Sequence, residues 1–134
     1  MAVTLSDQDL DFFREKNFAH LTTINADGSP QTTVLWVDVI DGQIVLNTAD
    51  GRLKVGNIRR DPRVSLSVHR QDNPYASIIV SGRAQLAPER GERDADSLTK
   101  KFIGRESYPP EWRAPDEERV TISVTPERVH RYGY

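Results

Sequence analysis

Cysteine is absent from the 134 residues of this chain, which excludes disulfides, thiolate metal sites and cysteine nucleophiles. No apolar run approaches the length of a membrane span. The opening Met1-Ala-Val-Thr-Leu-Ser-Asp7 lacks the charged and apolar regions of a secretory signal, so the expectation is a cytoplasmic protein that does not enter the membrane. A charge excess of either sign is missing too. Eighteen Lys and Arg against 20 Asp and Glu leave a formal net charge of -2, so no global field draws the chain to nucleic acid or to an anionic membrane surface. Internal repeats, low-complexity tracts and linkers are lacking, and the length suits a single domain, 1–134, with a real core.

The familiar catalytic signatures are missing as well. Neither Gly-x-Gly-x-x-Gly nor a Walker loop occurs, which argues against a Rossmann dinucleotide site and a P-loop. His20, His69 and His130 stand apart without paired-ligand spacing, so a metal centre is not expected and each reads as a strand histidine with ordinary hydrogen bonding. Ser77, Ser81 and Ser97 lack the context of a nucleophile elbow; Ser81-Gly82 reads as a bulge. Glu89 to Asp96 mixes acids with arginines at near-helical spacing, the pattern of a solvated helix face with local ion pairs.

What is present is β-strand. Apolar residues make up 37% of the chain and mean hydropathy is -0.60, so the apolar surface is concentrated on a few strands. That suits a small barrel, or a subunit that completes its core by pairing. Ser6 to Asp9 has capping-box spacing, and Leu10, Phe12 and Phe13 give the turns after it an apolar face, which predicts a helix over Asp7 to Lys16. Phe18 to Asn25, Gln31 to Ile40 and Gln43 to Thr48 read as strands, joined by hairpin signals at Ala26 to Pro30 and at Asp41-Gly42. This three-stranded antiparallel meander is the firmest element of the reading.

Arg63 to His69 alternates strictly, a strand with one wet face. Gln71 to Pro74 makes a turn before a long strand, Tyr75 to Leu86, in which Gly82 marks a bulge or a close backbone approach. Glu89 to about Gly104 reads as a helix and Tyr108 to Pro115 as a proline-rich connection. Arg119 to Val124 and Glu127 to Tyr132 form a last strand, interrupted near Pro126. Six antiparallel strands with short helical insertions make a mainly β fold. They point to a small closed or split barrel, because closure removes exposed edges.

The stretch Asn47 to Arg63 stands out, because an apolar strand runs there into a short basic helix. A helix starting near Gly51 or Arg52 leaves its first N–H groups unpaired, and with the helix dipole these favour a bound phosphate. Arg52 adds a planar fork and Lys54 a point charge. Leu53, Asn57 and Ile58 fall at offsets that turn one face to a core, and Asp61-Pro62 stops the helix. Taken alone, the same stretch reads first as a solvated basic surface helix.

Five segments carry a resemblance that covers most of the chain. They are Ala19-His-Leu-Thr-Thr-Ile-Asn-Ala-Asp-Gly-Ser-Pro-Gln31, Val34-Leu-Trp-Val37, Gly51-Arg-Leu-Lys-Val-Gly-Asn-Ile-Arg-Arg-Asp-Pro-Arg-Val-Ser65, Ile78-Ile-Val-Ser-Gly-Arg-Ala84 and Pro126-Glu-Arg-Val-His-Arg-Tyr-Gly133. In this order they resemble the pyridoxamine 5'-phosphate oxidase-like split barrels that bind flavins. Within these the chain is most similar to the actinobacterial branch that uses the deazaflavin coenzyme F420.

The resemblance implies a six-stranded split barrel of the FMN-binding type and a homodimer with its cofactor between subunits. Arg52 and Lys54 match the positions that grip the cofactor phosphate, with Leu53 and Asn57 in the same motif. Asn47 and Thr48 match positions that meet the ring system or its phosphate. Thr33, Val34, Leu35 and Trp36 match the strand along which the tricycle lies; by residue type alone, Trp36 serves a core equally well. Arg60 reaches the acidic tail of F420 or simply decorates its helix. Tyr75, Ala76 and Ser77 approach from the partner chain. Apolar residues on both faces of Val34 to Ile40 and of Ile78 to Val80 independently favour a dimer.

The activity so implied is an F420-dependent oxidoreductase passing a hydride from the reduced deazaflavin to an electron-poor double bond of a small organic substrate. Such a cofactor carries its own hydride, so the protein need only bind, orient and exclude water. Tyr75, His69 and His130 are candidate proton donors, and none is assigned as catalytic. Two alternatives stay open: an FMN-binding oxidase or reductase of the same fold, and a non-catalytic flavin- or haem-binding protein.

Overall fold

Strand β2, Pro30–Ile40, is longer than either neighbour and belongs to two hairpins. Its first half pairs with β1, Phe18–Ile24, in the register Phe18 to Trp36 through Ile24 to Pro30. Its second half pairs with β3, Gln43–Ala49, from Val37 opposite Leu46 to Ile40 opposite Gln43. The β2–β3 turn has positive φ at both Asp41 and Gly42, the handedness that a two-residue hairpin loop needs.

The computed structural model describes residues 2–134. After β3 come helix α2 (Leu53–Arg60), β4 (Arg63–His69), β5 (Ser77–Ala87), a 3-10 turn at Pro88–Arg90 and α3 (Gly91–Ile103). A second 3-10 turn at Pro110–Trp112 precedes β6, Arg119–Tyr132. The six strands close into one antiparallel barrel in the order β1-β2-β3-β6-β5-β4, with β4 returning to β1. Each strand thereby has two neighbours, although β2 pairs with β1 through its first half and with β3 through its second.

Helix α1, Asp7–Arg14, starts at a complete capping box: the Ser6 hydroxyl accepts from the Asp9 amide, and the Asp9 carboxylate accepts from the Ser6 amide. The helix packs against β2, β4 and β5 and carries Phe12 and Phe13, both fully buried, into the core. Inward residues of every strand complete that core, among them Leu21, Val37, Leu46, Leu66, Ile78 and Ile122.

Strand β3 differs from the rest. Six of its seven residues, Ile44 to Ala49, are buried because α3 covers the outer face of β3 and β6 while the barrel core covers the inner one. Helix α3 turns Ala95, Leu98 and Phe102 onto this second, smaller apolar layer. Asp94, also fully buried, accepts from the Thr121 hydroxyl at 2.7 Å and pins helix to sheet.

Three boundaries depart from the sequence reading. Helix α1 stops at Arg14 because Glu15 is already extended. Tyr75 and Ala76 lie in the turn before β5, where the Ala76 amide donates to Asn73. Strand β6 runs unbroken through Pro126: Gly82 faces Pro126 and Ser81 faces Arg128, so Glu127 is the extra residue of a bulge. A Cβ at Gly82 would collide with the Thr125 carbonyl, so bulge and close approach coincide at this glycine.

Candidate functional site

The outer face of the first hairpin meets the C-terminal half of β3, α3 and the 104–118 strap around a cavity of about 310 Å³. Val34, Leu35 and Trp36 of β2 line it, with Phe18 from the paired strand. Alternation places Phe18, Val34 and Trp36 on the outer face, which leaves Val34 58% and Phe18 43% exposed. Trp36 stacks nearly parallel on Phe102 of α3, with ring centroids 5.3 Å apart, and Phe18 stacks on the same ring at 5.6 Å.

The polar side of the cavity is Asn47 and Arg119. Asn47 lies two residues before the register partner of Arg119, on the same face of β3: Ala49 faces Arg119, and Asn47 faces Thr121. Its amide donates to the Gly91 carbonyl at 2.9 Å and accepts from Arg119 Nε at 3.0 Å. Asn47 therefore holds α3 and Arg119 in place from a buried position. Arg119 pairs with Glu117 at 3.1 Å and lies 4.3 Å from the centre of the Tyr108 ring.

The basic corner adjoins this polar side. Arg52 is the N-cap of α2 and makes no side-chain capping bond, and Leu53, the first helical residue, is 57% exposed. Lys54 is only 7% exposed, yet among the described residues no acid or hydrogen-bond acceptor meets its ammonium. Burial lowers its pKa first, and the positive charges of Arg52 and Arg119 lower it further. A lysine whose stem is buried beside two arginines, with no ion pair of its own among the described residues, is chemically suited to an anion.

The remaining predicted positions divide. Thr48 is buried one residue beyond Asn47, facing Val120. Thr33 keeps a buried hydroxyl for which no partner occurs among the described residues. Asn57 is 1% exposed and donates to Thr23 and Asn25, tying α2 to β1. Arg60 donates to the Ile24 carbonyl at 2.5 Å and to Asn57 at 3.1 Å, so in this structure its guanidinium is turned to β1. Tyr75, 85% exposed, buried Ala76 and Ser77 lie around the start of β5, and none of the three lines the cavity within one subunit.

Sequence reasoning missed Phe18, Ala95, Leu98, Tyr108, Trp112 and Arg119 as cavity residues. The aromatic pair in the Tyr108 to Pro115 connection was the available signal. The three histidines lie on strands as expected, but two of them do not stand apart. Forty-nine positions separate His20 from His69, but β1 pairs with β4 and their rings stack at 6.2 Å. His69 also contacts the Arg70 carbonyl through Nδ1.

Comparison with known proteins agrees with this geometry. A structure described as an F420 reductase superposes with a TM-score of 0.77 at 28% identity, covering 96% of this chain and 98% of that one. A conserved hypothetical protein of Mycobacterium tuberculosis gives the same TM-score at 29% identity, with 98% and 86% covered. General Stress Protein 26 of Bacillus anthracis, at 17% identity, TM-score 0.66 and 91% and 88% coverage, shares the fold alone. The family model for pyridoxamine 5'-phosphate oxidase matches residues 5–133, nearly the whole closed barrel with its helices, and with the split-barrel topology in place the chain belongs to that family, whose fold binds flavin-type cofactors.

Proposed function

We propose that the protein is an F420-dependent oxidoreductase that reduces an electron-poor double bond of a small organic substrate as a homodimer. The observation that carries this reading is Lys54, a largely buried lysine with no ion pair among the described residues, beside Arg52 and next to an aromatic cleft, in a chain 28% identical to a structure described as an F420 reductase.

The residues present fit such a cofactor. Lys54 and Arg52 would hold its phosphate, the arginine through a planar fork and the lysine as a point charge. Val34, Leu35 and Trp36 offer the ring system an apolar wall, and Thr33, Asn47 and Thr48 lie beside or behind it. When bound, the reduced deazaflavin supplies the hydride, so no nucleophile or metal is demanded of the protein. What the chain contributes is orientation and exclusion of water: the strap and α3 cover the cleft, and a fixed ring geometry replaces a bimolecular encounter.

Dimerisation completes the reading. Val34, His20, Ser67, Ile79 and His130 form one row across the outer faces of β2, β1, β4, β5 and β6 by register. With Val34 at one end of this row and Tyr75 in the turn that leads into β5, a second copy on this sheet would bring Tyr75, Ala76 and Ser77 toward the cofactor of its neighbour.

Parallel titrations with F420 and with FMN test the assignment. F420 is expected to bind, and Arg52→Ala to weaken that binding about tenfold while leaving the unfolding midpoint unchanged, as loss of one charge-assisted contact requires. Tight FMN binding without F420 binding would sink the deazaflavin reading in favour of an FMN enzyme.

A further inference from the structure

Strands β1 and β4 carry a pair of stacked imidazoles on the outer face of the barrel. His20 faces Val34 of β2 and Ser67 of β4, and the ring of His69, diagonally across the same strand pair, lies 6.2 Å from it at an interplanar angle of 22°. A carbonyl only accepts, so the contact of His69 Nδ1 with the Arg70 carbonyl at 3.1 Å places the hydrogen on Nδ1. The open lone pair of the neutral ring is then on Nε2. A second proton arriving there leaves the Nδ1 bond, and with it the stacked position, intact.

The surrounding face offers these rings little to balance a charge. The row through His20 runs from Val34 to Ser67, Ile79 and His130, and the row through His69 continues to Ser77 and Tyr132, so neither contains a carboxylate. Past His69, a hollow holds Glu15, Lys16, Arg70 and Asp72, two acids against two bases, with Glu15 already paired to Arg70 at 3.4 Å. Toward the other end of the strands, Arg63 and Arg83 are paired with Asp61 and Glu127, and Arg128 adds a further positive charge opposite Ser81. Tyr75 stands exposed in the turn before β5. Two protonated rings stacked on this face therefore repel each other.

We propose that the stacked His20–His69 pair makes the association of this chain pH-sensitive: the neutral rings pack against a second copy, and their protonation separates the two. The position of the pair follows from symmetry. In the dimer proposed above, the start of β5 in one copy lies toward β2 of the other, so the two-fold axis falls midway between these strands. In the order β2-β1-β4-β5 that midpoint lies between β1 and β4, at the two rings. The pair from each copy meets there, and enclosure of the rings disfavours their charged form, so separate subunits hold more protons than the dimer and association weakens as pH falls. This control rests on the dimer reading above; the stack and its tautomer do not. Because Tyr75, Ala76 and Ser77 would reach the cofactor only across that contact, acid would open the cofactor site together with the dimer.

Sedimentation equilibrium of the full chain at pH 7.5 and pH 5.5 tests this, with far-UV circular dichroism expected to show the same fold at both. The dimer dissociation constant is expected to rise about a hundredfold in acid, about tenfold for each of two protons, one per subunit, taken up across the histidine range. His20→Gln combined with His69→Gln is expected to hold the two constants within about threefold of each other. The same two positions as phenylalanines, which keep a flat ring without a titrating nitrogen, should behave alike. His130→Gln, changed in the same row but outside the pair, is expected to keep the full rise. A rise that survives either double substitution, or one that His130→Gln abolishes, overturns the proposal. A wild-type dimer equally tight at both pH values also overturns it while leaving the dimer reading intact, whereas a monomer at pH 7.5 counts against both.

Discussion

Lys54 carries an electrostatic penalty in the folded chain. Its side chain is largely buried near the charges of Arg52 and Arg119 with no ion pair among the described residues, and its pKa is lowered in the folded chain, first by burial. A lysine pKa lowered on folding means that the unfolded chain binds more protons at alkaline pH. Stability from this group therefore rises as pH climbs through the folded value toward the ordinary lysine range, and is lowest in the neutral and acid range. Lys54→Met should raise cofactor-free stability at pH 7 by about 1 kcal/mol, read from urea denaturation, while abolishing binding of a phosphate-bearing flavin. A variant that loses stability would show that Lys54 has a counter-charge after all. At this scale the motif Arg52-Leu-Lys54 was legible in the sequence. The occupation of Asn57 and Arg60 by β1 was not, because the partners Thr23, Asn25 and Ile24 lie some 30 positions away.

Among the elements, α1 shows how a local signal becomes a tertiary one. Ser6 and Asp9 announce a capping box in the sequence, and the box forms. Yet the Asp9 carboxylate, fully buried, also accepts two bonds from Arg131, at 2.8 and 2.7 Å, and one from the Tyr134 hydroxyl at 2.8 Å. The helix cap is thus the anchor for the end of β6, and the Tyr134 ring packs against Phe12 at 4.5 Å. The Arg131 guanidinium holds the Asp9 carboxyl well below the usual carboxylate range, with the Ser6 and Tyr134 bonds acting the same way.

The sign follows directly. A carboxylate with a depressed folded pKa stabilises above its unfolded value, and that stability drains away as pH falls from about 4 toward the folded value. Asp9→Asn should cost about 2 kcal/mol at neutral pH. Below about pH 4 the variant should also lose less stability on further acidification than the wild type. Denaturation curves at pH 7 and pH 3 check both; parallel losses in the two proteins would rule out Asp9 as the acid-sensitive anchor.

For the whole molecule, the outer sheet face is the open account. Ile79 stands on it between Ser67 and His130 by register, in a chain whose core is already complete inside the barrel. Ile79→Glu should turn the expected dimer into a monomer in sedimentation velocity with only a modest drop in the unfolding midpoint, since Ile79 is half-buried on that face and lies outside the barrel core. An unaltered dimer would move the interface elsewhere.

Much about this protein was determined by local sequence alone. Strand alternation, turn residues and caps are interactions over two to four positions, and they define six strands, three helices and the basic corner after β3. The last strand was read as interrupted because Pro126 is a local breaker; it continues because a bulge at Ser81 and Gly82 absorbs the extra residue across the ladder. Only tertiary structure decided what the corner adjoins. Barrel closure and the packing of α3 bring Phe18, Trp36, Asn47, Tyr108, Trp112 and Arg119 to one cavity, and they leave Lys54 beside it without a counter-charge. Those neighbours come from five separated segments, and no periodicity records contacts of that range, because they are fixed by how the layers stack.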